Sequence, residues 1–189
     1  MATQRNRRGS PTVRIAGMVL TALSVAGPLA PDCRAEDLSL EYQVKAAFLL
    51  NFTRFIEWPA TAFADAGSPF TMCVLGKDPF ARALDDVIEG ETAGGRKLSI
   101  RRINEPPAPR ACQIVFIDAG DKDLRKIISA LGPGVLTVGE GAGFVREGGI
   151  IGFVIDNRRV RFDINQSAAD RAELKLSSKL LSVARAVER

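Results

Sequence analysis

The spacing of apolar positions along the chain changes several times, and each change marks an element. From Ser39 to Trp58 the residues Leu40, Val44, Ala47, Phe48, Phe52, Phe55 and Ile56 recur at helical spacing, with Ser39 as the cap and Pro59 as the stop. A continuous apolar run, Phe70–Leu75, then reads as a buried strand ending at Gly76-Lys77-Asp78-Pro79. Pro79 opens a helix, Phe80 to Glu89, with Phe80, Leu84 and Ile88 on one side. Lys97–Ile103 alternates and predicts a strand, placed at a sheet edge by its Arg101-Arg102 pair. Asn104–Arg110 carries three prolines and is a loop. Cys112–Asp118 is apolar enough to be buried on both faces. A helix from Gly120-Asp121 to about Leu131 precedes the strand Val135–Val138. The glycine-rich stretch Gly139–Gly149 lacks a full dinucleotide motif and reads as a flexible connection with one helical turn at Phe144-Val145. Ile150–Ile155 and Val160–Ile164 flank Asp156-Asn157-Arg158-Arg159 as a β-hairpin. A last helix is predicted from Gln166 to Val187, capped by Asn165 or Ser167. The order argues for one α/β domain: a mixed β-sheet flanked by helices, closed by a C-terminal hairpin plus a long helix.

The first thirty-odd residues stand apart from this pattern. Arg5, Arg7, Arg8 and Arg14 precede an apolar run, Ile15–Gly27, that breaks at Pro28 and Pro31. A bilayer needs about 20 apolar residues, so the run has the length and flanks of a secretory signal peptide. Residues 1–35 are therefore expected to be a cleaved signal peptide, cut after Ala35 or after Ala30, and residues 36–189 the folded domain. Removing the signal changes the charge. Residues 1–35 hold five arginines and one aspartate, which leaves 21 basic and 21 acidic side chains in residues 36–189. The basic balance thus belongs to the export signal, and no nucleic-acid partner is expected.

Candidate chemistry is sparse. The chain has no histidine, which excludes Ser-His-Asp and Cys-His catalysis and imidazole metal sites. No cofactor, metal or catalytic residue is expected, and the domain is read as a non-enzyme. Of the acids only Asp85, Asp86 and Asp118 suggest a hydrolase, and Asp85-Asp86 is most simply a solvated helix face. The strand-to-helix turn at Gly76–Pro79, with Lys77 or Arg96, would suit a small anion, so a periplasmic ligand-binding or sensing module is the alternative function. After cleavage at Ala35 two cysteines remain, Cys73 and Cys112. In an oxidising compartment they are a natural pair, with two buried free thiols as the alternative. Five aromatics crowd the first helix (Tyr42, Phe48, Phe52, Phe55, Trp58). They face a core or, in part, a partner protein, and Phe48 and Phe52 are the candidates for contact. In the last helix Leu174, Leu176, Leu180 and Leu181 exceed one narrow apolar face, which makes them a second candidate surface.

Several segments together resemble the YfiR-like family. They are Tyr42–Phe52 with Phe55-Ile56-Glu57-Trp58-Pro59; Cys73-Val74-Leu75-Gly76 with Pro79-Phe80; Gly95-Arg96; the Cys112 strand; Val135–Val138; Gly148–Ile151; and Arg161–Asn165 through Leu174–Leu181. The resemblance runs through nearly all of the expected mature chain in order. It implies a small periplasmic repressor that binds the sensor region of an inner-membrane diguanylate cyclase, lowering cyclic-di-GMP and biofilm. It also implies sequestration by an OmpA-type outer-membrane lipoprotein, a homodimer, and a disulfide between Cys73 and Cys112. This sequence lacks the second cysteine pair of better-known members, so redox switching through that pair does not carry over.

Overall fold

The computed structural model describes Met1 and residues 33–118 and 123–189, with the side chains of the first helix described from Leu40 on. The expected export segment falls almost wholly outside these residues, as does the start of the helix predicted at Gly120-Asp121.

Among the described residues eight strands form one sheet. In chain order they are β2 (Phe70–Leu75), β3 (Thr92–Ala93), β4 (Arg96–Ile103), β5 (Ile114–Ile117), β6 (Leu136–Glu140), β7 (Ile151–Asp156), β8 (Arg159–Asn165) and β10 (Ala186–Glu188). Their order across the sheet is β10-β8-β7-β6-β5-β2-β4-β3. The five strands β4, β2, β5, β6 and β7 are mutually parallel. Counted along the chain their order is 2-1-3-4-5, that of a flavodoxin-like doubly wound sheet. The hairpin β7–β8 adds an antiparallel strand, with Asp156 opposite Arg159. Its turn residues Asn157 and Arg158 both have positive φ, 49° and 59°, as a two-residue turn matched to strand twist requires.

Alternation along the central strands divides the core between two faces. On one face Phe70, Met72, Val74, Ile114 and Phe116 pack with Ala46, Leu49 and Phe52 of helix α1 (Cys33–Phe55) and Leu84 and Ile88 of α2 (Ala83–Ile88). On the other, Cys73, Leu75, Val115 and Ile117 pack with Leu131 of α3 (Leu124–Leu131) and Phe144 of α4 (Gly143–Arg146). The predicted mixed α/β sheet is thus observed, and β4 lies almost at its edge.

Helix boundaries differ from the prediction at four places. Helix α1 begins at Cys33, so Ser39 lies inside it and is not its cap. It ends at Phe55, and Ile56–Glu57 (β1) pairs with Lys175–Leu176 (β9) before Pro59 opens a short 3-10 turn. Helix α2 begins at Ala83 because Ala81 adopts φ 51°, which no helix accommodates. The long C-terminal helix is absent. In its place stand α5 (Gln166–Arg171), β9, α6 (Ser178–Val183) and β10. Asn165 caps α5, accepting from Ala168 N–H at 2.8 Å. The break follows from Leu174 N–H bonding Ala169 O and Glu173 N–H bonding Asp170 O, with Glu173 at φ 60°. This is a Schellman stop with glutamate at the left-handed position usually held by glycine. Leu174, just beyond it, is buried and supplies the accompanying apolar contact.

The glycine-rich stretch has a packing cause. Phe144 is inserted between Gly139 and Gly149, where added Cβ atoms would lie 2.2 and 2.0 Å from its ring. The glycines form a socket for a side chain, not a phosphate loop. Gly149→Ala is expected to destabilise the domain by about 2–3 kcal/mol, read from chemical denaturation, because a packed ring cannot move aside cheaply.

Candidate interaction surface

The six residues expected at a partner surface separate into two groups. Phe52, Leu174 and Leu180 are buried in the core, the alternative to partner contact at these positions. Phe48, Leu176 and Leu181 are half-buried against that core. Phe48 is one member of a ring cluster, 5.4 Å from Phe162 and 6.0 Å from Phe153. Its outer side, with Arg161, Phe162 and Val183, lines a cleft of about 310 Å³. Other exposed apolar residues stand on the same elements. Leu40 (59 % exposed) and Val44 (37 %) precede Phe48 by whole helical turns. Ile155 (54 %) follows Phe153 on the same face of β7, and Val183 is 55 % exposed. Sequence reasoning missed Ile155 and Val183 as surface residues. The first looks like any strand residue, and the second was assigned to a continuous helix.

A polar cluster occupies the carboxyl ends of the strands. Lys45 in α1 is only 3 % exposed yet charged. It pairs with Glu41 one turn earlier, and with Glu140 at the end of β6 at 2.7 Å. Its ammonium lies 4.4 Å from the Tyr42 ring centroid. Burial, reinforced by the Glu140 carboxylate, pushes the Tyr42 phenol well above its ordinary value. A buried cation answered by two carboxylates fixes α1 against β6, since either charge left alone would be costly.

Of the two cations offered for the anion turn, Lys77 is part of the turn itself and Arg96 is not near it. Arg96 stands at the amino end of β4, roughly 20 Å along the strand from Gly76. There it donates to Ser68 O at 2.6 Å and lies over the Phe63 ring. The arginine at the turn is instead Arg102, whose Nε donates to Asp78 at 2.6 Å and whose Nη2 donates to Asp85, also at 2.6 Å. Asp85 is therefore a structural partner of Arg102. Asp118 lies beside Gly76, beyond β5. No group of three His, Cys, Asp or Glu residues among the described residues is placed to hold a metal ion. The Arg102 hydrogen bond, ahead of its charge, holds the Asp85 carboxyl below its ordinary value. A lowered folded-state pKa stabilises above the unfolded pKa and is lost as pH falls through the folded one. The melting-temperature gap between wild type and Arg102→Ala should thus be constant above about pH 5 and shrink below about pH 4.

Cys73 and Cys112 form a disulfide, with Cα atoms 5.9 Å apart. Cys73 is in β2, and Cys112 ends the connection from β4 to β5, which passes over β2 without a helix. The bridge fastens that helix-free crossover to the sheet. Gln113 fastens it again from the buried interior. Its side chain accepts from Thr71 N–H at 2.8 Å and donates to Ala62 O at 2.7 Å, while its backbone carbonyl accepts from the Trp58 indole at 3.1 Å.

A sequence profile of the YfiR/HmsC-like family matches residues 42–185. The chain belongs to the YfiR/HmsC-like family. The match begins at Tyr42 of the polar cluster and ends at Arg185, which donates to buried Asp163 at 2.8 Å. Both bridged cysteines, Phe48 and Val183 lie within it. No curated protein matches the chain significantly in sequence. Among solved structures, a conserved domain protein from Vibrio cholerae O1 biovar El Tor str. N16961 is similar, with a TM-score of 0.50 and 10 % identity. The likeness covers 78 % of this chain and 60 % of that one, and it concerns the fold alone. No described helix is long and apolar enough to cross a membrane.

Proposed function

We propose that this YfiR/HmsC-like protein is a periplasmic regulator that binds the sensor domain of an inner-membrane diguanylate cyclase and holds the cyclase inactive. Cyclic-di-GMP, and with it biofilm formation, would rise when the regulator is withdrawn. Family membership over residues 42–185 is the observation that carries this reading. The bridged cysteines support it, because disulfides persist in oxidising compartments. The exposed apolar residues around Phe48 suit a partner surface, which needs an apolar centre with a polar rim. The family resemblance further supports a homodimer and an OmpA-type lipoprotein as a sequestering partner.

The test joins deletion with binding. Removing the gene should raise cellular cyclic-di-GMP, and the purified protein should form a complex with the periplasmic domain of the cyclase. Unchanged cyclic-di-GMP together with no complex would end the proposal. Val183→Asp should weaken that complex at least tenfold. Its melting temperature should stay near wild type, because exposed positions contribute within about 0.5 kcal/mol of zero.

A further inference from the structure

β4 is paired along one side for most of its length. On its inner side it pairs with β2 from Leu98 to Ile103, but β3 reaches only Arg96 and Lys97 on the outer side. The backbone groups of a strand point alternately to its two sides. Gly76 N–H donates to Ile103 O at 2.9 Å, which turns the odd-numbered residues toward β2; Leu98 N–H donates to Glu91 O at 3.3 Å on the opposite side. The N–H and C=O groups of Ile100 and Arg102 therefore face away from the sheet. No described backbone group bonds them.

The side chains beside this open stretch are basic. Lys97 and Arg101 are exposed, lie on the face opposite α2, and have no carboxylate partner among the described residues. Arg102, on the α2 face, is already taken by Asp78 and Asp85. Lys97 and Arg101 sit about 13 Å apart along the strand. Carboxylates four residues apart on an added strand would meet both. Antiparallel pairing with a second copy would instead set arginine and lysine against their own kind, the device by which edge strands resist self-association.

We propose that the outer edge of β4 is a docking site for an extended acidic segment of a partner protein, which adds to the sheet as a further strand beside Ile100 and Arg102. Main-chain hydrogen bonds would hold the segment, and Lys97 and Arg101 would select its charge. This surface lies on a different strand from the Phe48 cleft and does not depend on the identity of the proposed cyclase.

The experiment uses a fluorescein-labelled ten-residue peptide of alternating valine and glutamate, titrated into the purified protein. Binding should fall at least tenfold in Lys97→Glu/Arg101→Glu and be weakened by salt. A valine-lysine peptide should show the reverse preference between the two proteins. With the first peptide bound, amide exchange should slow at Ile100 and Arg102 and stay unchanged at Arg101, which already faces β2. The variant should melt like wild type, since both side chains are exposed and unpaired. Absence of binding at millimolar peptide, or protection confined to other strands, would overturn the proposal. Protection of Ile100 and Arg102 in peptide-free protein, rising with its concentration, would overturn it in favour of a second copy at this edge.

Discussion

Phe52→Ala is expected to cost about 3–5 kcal/mol, the range for removing a large buried aromatic side chain. Phe52 is inaccessible to solvent. Its ring stacks on Phe48 at 6.1 Å and Phe153 at 6.0 Å, and meets Phe162 edge-on at 5.3 Å. These contacts join α1 to the hairpin β7–β8, so the cavity left by alanine would lie at the junction of helix and sheet. Nothing small is poised to fill it, because the surrounding rings are themselves pinned. A domain of this size is stable by only about 5–15 kcal/mol, so a large share of stability rests on one side chain. Urea denaturation reads the loss as a lower midpoint at similar slope. A loss below about 1 kcal/mol would mean that α1 repacks and that the aromatic cluster does not hold it to the hairpin.

Cys73→Ser is expected to lower stability by about 4 kcal/mol under oxidising conditions. The bridge spans a sequence separation of 39 residues. In the chain-entropy account a closed loop of that length restricts the unfolded chain by about 4 kcal/mol. The native state adds a local reason. The β4–β5 connection crosses β2 with no helix to bury an apolar face, and Cys112 is one of its few buried anchors. Freed from the bridge, the connection retains Gln113 and its hydrogen bonds, so the domain should still fold. The melting temperature should drop by about 10–15 °C. Reductant should bring wild type down to the variant and leave the variant unmoved. Identical melting of the two proteins in oxidant would show that the bridge contributes nothing to stability.

Both predictions rest on residues that local pattern had singled out for different reasons. The periodicity of α1 marked Phe52, but its expected role included partner contact, whereas the structure buries it. The apolar runs around Cys73 and Cys112 marked two buried strands, and the structure pairs them as β2 and β5, Cys73 lying opposite Val115. Leu174 and Leu180 looked like surplus on a helix that does not exist. Once the chain breaks at Glu173, both turn inward and the surplus disappears.

What the sequence determined by itself was the six longer strands, β2 and β4 to β8; the short strands β1, β3, β9 and β10 escaped it, and it left the cysteines as either a pair or two free thiols. Buried parallel strands are continuously apolar and hairpin strands alternate, so Phe70–Leu75, Leu136–Val138 and the β7–β8 hairpin are written in local composition. The tertiary structure alone decided the 2-1-3-4-5 order, the glycine socket for Phe144, and the division of the C-terminal segment. The socket is built by glycines five residues to either side of Phe144, but the strand order and the C-terminal division depend on partners far along the chain: β1 pairs with β9, and Arg185 with Asp163. Glutamate at 173 gives no local sign of a helix stop. Its left-handed conformation holds because burial of Leu174 and the β1–β9 pairing outweigh its cost, and neither is visible within a window of neighbouring residues.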